Sequence, residues 1–592
     1  MTVPQRIAAL REEMKRNQVD AYVIPGTDPH QSEYPPDHWK QRTWISGFDG
    51  SAGTAVVTGA EAGLWTDSRY FLEAQRALTD SSMVLHRLGL PGVADHVEWL
   101  GNTLAEGSRV GFDGTLISAA AFRAAATRLQ AAGVEAVDAG DLIGAIWGDR
   151  PPLPDSAIFL VPAERAGAGR KERLSALRQE MAKNRAAYHL ATSLDDIAWL
   201  LNIRGDDVAY NPVALCYLIA TASDATLFVS PTKLSPQDRT ELEESGITVK
   251  PYEEISRGIA ALPSGKRILL DPSRVNLSLY RSCEETLEPV ERENWTTGAK
   301  AIKNSAEISG MKSCMVKDGV AMVKFLHWLE ATVPAGSVTE LGAARKLREF
   351  RAAGEGFAGE SFATIAGYGP HGAIVHYRCT PESDVRIEPG GVFLLDSGGQ
   401  YLDGTTDITR VVSNGTPAAA VKNDFTRVLK AHIVLARLQF PAGTTGHQID
   451  ALPRLDLWMN GLNYGHGTGH GIGWFLSVHE GPQRIAPVVN SVPLKPGMFV
   501  SNEPGLYREG AYGIRVENLV LVTEGPQTEF GQFYRFETLT LCPIELDLVV
   551  PEMLSREERD WLNAYHAQVR ETLLPHLDQT HAKWLKHKTR PV

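Results

Sequence analysis

Four carboxylates and one imidazole between Gly390 and Val520 restrict what this chain can fold into more than any other feature, because each stands in apolar or glycine-rich surroundings. The run Gly391-Val-Phe-Leu-Leu-Asp396 ends an apolar stretch in an acid, Ser-Gly-Gly-Gln-Tyr-Leu-Asp-Gly follows, and Thr-Thr-Asp407-Ile-Thr brings back a second acid in a β-branched segment. This pattern predicts a hairpin with a carboxylate on each arm. In His466-Gly-Thr-Gly-His470-Gly-Ile-Gly, glycines let backbone approach a ligand closely and present His470 without crowding. Glu503 follows Met498-Phe-Val and precedes Pro504-Gly505, which places it at the end of a strand. Arg515-Val-Glu517-Asn-Leu-Val alternates with period two, so Arg515 and Glu517 are expected on one face.

A lone Asp at a hairpin is ordinarily a turn residue, and a lone Glu in an alternating strand is ordinarily solvated. The combination is what points to metal. Four carboxylates brought together repel and raise one another's pKa unless cations neutralise them, and two dications supply that charge. An oxygen-rich set with one imidazole suits manganese, with zinc or cobalt as alternatives, better than a thiolate site would. In two-metal hydrolases the ions lie ~3.5–4 Å apart and share a hydroxide that attacks a carbonyl polarised by the same metals.

The segments Asp396-Ser-Gly-Gly-Gln-Tyr-Leu-Asp-Gly-Thr-Thr-Asp407, Gly465-His-Gly-Thr-Gly-His470-Gly-Ile-Gly, Val478-His479-Glu480-Gly-Pro482, Glu503-Pro-Gly-Leu-Tyr507 and Gly513-Ile-Arg-Val-Glu517-Asn closely resemble those of the Xaa-Pro aminopeptidases in their long three-domain form, members of the pita-bread metallopeptidases. The resemblance extends from Trp44-Ile-Ser-Gly-Phe to Asp560-Trp-Leu-Asn-Ala-Tyr-His, with no departure at the five ligand positions. It implies two creatinase-like N-terminal α/β domains (1–153 and 154–302), a pita-bread α+β catalytic domain (303–548) and a C-terminal extension (549–592). It also implies that Asp396 chelates one metal, His470 and Glu503 the other, and that Asp407 and Glu517 bridge. Glu503 would accept the nucleophile's proton. His376, His466 and His479 match positions that line the substrate pocket, stabilise the tetrahedral intermediate or relay protons, a task suited to an imidazole that titrates near neutrality. Arg515 is expected to support the bridging carboxylate, and Tyr507 to wall the same pocket. The implied substrates are peptides with proline at position two, and the implied assembly is a homodimer. A prolidase-type dipeptidase, or a non-catalytic pita-bread module that binds peptides, are the alternatives.

At 592 residues the chain is too long for a single core. Its formal charge of −12 argues against a nucleic-acid partner. No run approaches the ~18 apolar residues of a membrane span. The five scattered cysteines, Cys216, Cys283, Cys314, Cys379 and Cys542, lack metal or disulfide spacing, and the N-terminus lacks a secretory core, so a cytoplasmic location is expected. An internal echo supports tandem domains: Arg6-Ile-Ala-Ala-Leu-Arg-Glu-Glu-Met-Lys-Arg-Asn17 recurs as Arg173-Leu-Ser-Ala-Leu-Arg-Gln-Glu-Met-Ala-Lys-Asn184, with Arg150-Pro-Pro-Leu-Pro154 as linker. Asn304-Ser-Ala-Glu307 predicts a capped helix whose Ile308, Met311, Met315, Met322, Leu326 and Leu329 fill core. Ser337-Val-Thr-Glu340 and Thr416-Pro417 predict two further helix starts, the second with proline in its first turn, and the basic end from Lys583 to Arg590 reads as a solvated face.

Overall fold

The computed structural model describes residues 1–413 and 415–592, which form two compact units, 1–297 and 298–592. In the first unit the sequence echo becomes a structural repeat. Helix Val3–Arg16 buries Ile7, Leu10 and Met14, and helix Arg170–Lys183 buries Leu174, Leu177 and Met181 at the matching positions of the echo. These residues recur every three or four positions, so each helix lays one apolar stripe on a sheet. Each leads into a wholly buried strand, Ala21–Ile24 or Tyr188–Ala191.

Both sheets have six strands in the same order. The first runs Val84–Arg87, Ala62–Thr66, Thr54–Thr58, Ala21–Ile24, Arg109–Phe112, Glu135–Asp138; the second runs Ile247–Lys250, Ala225–Val229, Cys216–Thr221, Tyr188–Ala191, Arg267–Leu270, Glu288–Glu291. Parallel and antiparallel pairings also match strand for strand. The halves meet on a reciprocal seam: Ala119 N donates to Val275 O (3.0 Å) and Leu277 N to Ile117 O (2.9 Å), while Ala120 N donates to Pro272 O (2.9 Å) and Ser278 N to Gly114 O (3.0 Å). Ser118 and Asn276, each the cap of its helix, form an antiparallel bridge there. Residues 150–158 between the halves have no regular structure, as the prolines require. Leu64 to Tyr70 is a strand leading to a helix, with Arg69 paired to Asp67 at 2.7 Å, and Asp207 is buried against Lys233.

The second unit opens with helix Ser305–Thr332, whose cap Asn304 accepts from Ala306 N and Glu307 N while Glu307 reaches back to Asn304 N. Met311, Met315, Met322, Leu326 and Leu329 are buried on it. The next helix, Glu340–Ala352, is capped by Thr339 rather than Ser337, since the Thr339 hydroxyl accepts from Gly342 N. Helix Ala419–Ala436 begins after Ala418, so Pro417 precedes the cap and lies outside the first turn. Three antiparallel strands, Ile365–Tyr368, Val392–Ser397 and Ile408–Ser413, form one sheet; Gln439–Pro441, Gly531–Thr538, Asn518–Thr528 and Phe499–Asn502 form another. Both back onto apolar clusters, one around Phe325, Phe393 and Leu395 and one around Phe440, Val500 and Val520. Helices Arg556–Leu573 and Gln579–Lys588 close the chain. The basic end is not uniformly solvated: Lys588 is buried between Glu545 (3.0 Å) and Glu330 (3.1 Å). Free ammonium there would be costly, and two carboxylates offset its desolvation.

Candidate metal centre and active site

The hairpin arms carry the first two acids. Val392–Ser397 is buried along its length and pairs with Ile408–Ser413, setting Asp396 opposite Thr409, with Asp407 just ahead of the returning strand. Glu503 follows strand Phe499–Asn502 directly, and its backbone N–H donates to Thr468 O at 2.9 Å. The alternating run around Arg515 is broken: one strand ends at Arg515 and the next begins at Asn518, which leaves Glu517 in the gap, its N–H donating to Thr409 O at 3.2 Å. Gly469 lets the backbone beside His470 pack closely on the strand before Glu503, because a Cβ at that position would lie 1.9 Å from Ser501 O.

Ligand atoms of Asp407, His470 and Glu517 all lie within 4.8 Å of one another. His470 Nε2 is 3.5 Å from an Asp407 oxygen and 3.5 Å from a Glu503 oxygen. Its Nδ1 lies 3.0 Å from Gly471 O, a contact that requires Nδ1 to carry a proton and turns Nε2 toward the acids. Ser501 Oγ accepts from His470 N (2.9 Å) and donates to Glu503 Oε1 (3.1 Å), fixing the His470 backbone and the Glu503 side chain from one hydroxyl.

Arg515 is 1% exposed, and its ion pair is with Asp396 (2.5 Å) rather than with Glu517. It reaches Glu517 through Thr409, whose hydroxyl accepts from Arg515 Nε (3.1 Å) and donates to Glu517 Oε2 (2.7 Å). Tyr507 OH accepts from Arg515 at 2.6 Å and lies 2.8 Å from His466 Nε2, while His466 Nδ1 faces Gly467 O at 2.8 Å. The contact with Gly467 O requires His466 Nδ1 to carry a proton. The His479 ring stands edge-on to His470, 4.4 Å between centroids. His376 lies in a turn between Val375, whose carbonyl accepts from Arg515 (3.5 Å), and Tyr377.

The electrostatics favour a bound cation. Burial, then the neighbouring Asp407 and Glu503, push the Asp396 carboxyl up to about 7 despite Arg515. Burial also raises Glu503, and burial with Asp407, Asp396 and Glu503 raises Glu517 well above the usual range. For His470, burial favours the neutral ring, but Asp407 and Glu503 prevail and raise it to about 9. Asp396 Oδ1 is buried with no hydrogen-bond partner among the described residues. A buried carboxylate oxygen without a donor beside three other acids fits a bound dication, and an oxygen-rich set with one imidazole fits a hard or borderline one.

Thr409 and Ser501 escaped the sequence reading. Thr409 had a signal, since it stands two residues after Asp407 and so on the same strand face. Ser501 had the same signal toward Glu503, two residues on, but none toward His470, 31 residues away.

Residues 309–524 match metallopeptidase family M24, 532–592 the C-terminal region of peptidase M24, and 6–146 and 149–307 two models of the creatinase/prolidase N-terminal domain. Aminopeptidase P2 of Arabidopsis thaliana is 43% identical over 97% of this chain and 86% of its own length. A probable Xaa-Pro aminopeptidase P of Laccaria bicolor is 40% identical over 99% and 93%. The solved X-prolyl aminopeptidase of Caenorhabditis elegans, described as a cytosolic enzyme with a di-nuclear active site, superposes with a TM-score of 0.96 at 36% identity over 100% of both chains. The convergence of the acids and the full-length match lead to one conclusion: this chain belongs to the three-domain Xaa-Pro aminopeptidases of metallopeptidase family M24.

Proposed function

We propose that this protein is a metal-dependent aminopeptidase that removes the first residue of peptides whose second residue is proline. The observation that carries this is the meeting of Asp407, His470 and Glu517 within 4.8 Å, with Glu503 on His470 and the unpartnered Asp396 oxygen beside them. Asp396, Asp407, His470, Glu503 and Glu517 would hold two divalent ions, manganese by the chemistry of the set. When bound, such ions polarise the scissile carbonyl and make water a nucleophile at neutral pH.

The side chains supply the rest. Glu503, raised by burial, takes the proton of the attacking water, and Ser501 holds its Oε1 in place. His479 and His376 deliver a proton to the proline nitrogen as it leaves. His466, held by Tyr507 with a proton on Nδ1, orients substrate from the pocket wall. Arg515 keeps Asp396 and Tyr507 in register through one guanidinium fork. The preference for proline is supported by the names and full-length similarity of the relatives rather than by a contact in this site.

The finer assignments are a cytoplasmic location and a homodimer. Four of the five free cysteines are buried, and no helix among the described residues is long and apolar enough to cross a membrane. The activity is tested with Arg-Pro-Pro, Arg-Ala-Ala and Ala-Pro at fixed protein and varied metal. Cleavage of Arg-Pro-Pro alone, abolished by chelator and by Asp407→Ala, is expected. Turnover confined to Ala-Pro moves the assignment to a prolidase-type dipeptidase, and a metal-free, chelator-insensitive protein moves it to a peptide-binding module.

A further inference from the structure

Glu340 is a fully buried acid at the start of helix Glu340–Ala352, and the chemistry above makes no use of it. Its carboxylate gathers donors from one short stretch of chain. Tyr368 N donates to Oε1 at 2.6 Å, His371 Nδ1 lies 3.0 Å from each oxygen, and Tyr377 OH donates to Oε2 at 2.9 Å, with the Cys379 thiol at 3.5 Å. Because both acceptors on His371 are carboxylate oxygens, its Nδ1 carries the proton. Glu340, Cys379 and Asp384 come close enough to hold an ion. But the Glu340 lone pairs are already taken by donors, which is the arrangement of a tether rather than an open ligand.

His376 lies inside this stretch, in a turn that has no strand or helix to fix it. On one side its neighbour Val375 is held by Arg515, the residue paired with Asp396; on the other its neighbour Tyr377 is held by Glu340. Upstream, Gly372 packs so tightly on the strand leading to Arg515 that a Cβ at Gly513 would lie 1.7 Å from Gly372 O. A turn pinned on both flanks presents its side chain in one direction, and a misplacement of about 1 Å at a proton-transfer group can cost about a hundredfold in rate.

We infer that Glu340 is a positioning residue for the reaction, holding Tyr368, His371 and Tyr377 so that His376 faces the substrate. The inference rests on the role given to His376 above. Glu340→Gln is the informative variant, since it keeps the volume but replaces one acceptor oxygen with an N–H that meets donors. With Arg-Pro-Pro as substrate, Glu340→Gln is expected to lower kcat by about tenfold or more at unchanged metal content, and to speed hydrogen exchange across residues 368–379. In a His376→Ala background, the same change is expected to move kcat by less than about twofold, because the group it positions is gone. Tyr377→Phe, which removes one tether bond, is expected to give a smaller loss with the same dependence on His376, and it carries the test if Glu340→Gln does not fold.

Two results overturn the inference while leaving the site reading intact: Glu340→Gln within about twofold of the unaltered protein, or a loss equally large with and without His376. Full activity of His376→Ala overturns the role of His376 itself, and the inference with it.

Discussion

Arg515 shows how much one side chain arranges at this site. It bonds Asp396, Tyr507 and Thr409, and so touches one metal-facing acid directly and a second, Glu517, through the Thr409 hydroxyl. Its positive charge opposes the rise in the Asp396 pKa. Arg515→Met is therefore expected to push Asp396 further up and shift the pH midpoint of metal binding to higher pH, read by metal titration between pH 6 and 9. In the unaltered protein, a metal-free His470 near 9 still holds its proton at pH 7, so metal uptake should release at least one proton per chain, measured by calorimetry in buffers of different ionisation enthalpy.

The same two groups set the sign of a stability effect. Asp396 rises on folding from 3.8 to about 7, so its contribution is full below 3.8 and is lost as pH climbs through 7. His470 rises from 6.5 to about 9, so its contribution is full below 6.5 and is lost as pH climbs through 9. Chelated protein should lose Tm from pH 6 to 9, and bound metal should widen the gap over that range, as thermal melts with and without chelator will show. Asp396 was legible in sequence because an acid at the end of an apolar run is conspicuous, and His470 because glycines flank it on both sides. Thr409, Ser501 and Glu340 were not, because threonine, serine and a helix-start glutamate are ordinary until the fold brings distant donors to them.

At the scale of the element, Arg410 joins the hairpin to the end of the chain. Only 2% exposed, it donates to Thr409 O (2.9 Å), Glu517 O (2.7 Å), Pro543 O (3.0 Å), Asn518 Oδ1 (2.8 Å), Cys542 O (2.9 Å) and Tyr565 OH (2.9 Å). Arg410→Met leaves several buried acceptors unpaired and is expected to cost about 3–5 kcal/mol in denaturant unfolding, with reduced metal occupancy because the Glu517 backbone loses its anchor. Leu562→Ala, on the helix that carries Tyr565, is expected to cost about 2–5 kcal/mol by opening a cavity, at unchanged metal content. The hairpin, the strand before Glu503 and the capped helix at Asn304 were readable because local patterns specify them. The break at Val516-Glu517 and the burial of Lys588 were not, since each is decided by what packs against it. Pro417 misled for a related reason: it is tolerated both in a first turn and just ahead of a cap, and the sequence does not choose between them.

At the scale of the molecule, residues 1–297 hold their own sheets and their own apolar clusters. That unit, expressed alone, is expected to melt in one cooperative transition by circular dichroism. The doubled architecture was visible in the echo because Ile7, Leu10 and Met14 recur as Leu174, Leu177 and Met181. The reciprocal pairing at Ser118 and Asn276 left a fainter trace, Asp113-Gly-Thr-Leu-Ile-Ser118 beside Asp271-Pro-Ser-Arg-Val-Asn276. Those seam bonds run from main chain to main chain, so they are blind to side-chain identity. Ile117 and Val275, or Thr115 and Ser273, can differ without loosening it. A duplicated domain locked in this way can keep its geometry through long divergence, while the text of its two copies drifts toward the unrecognisable.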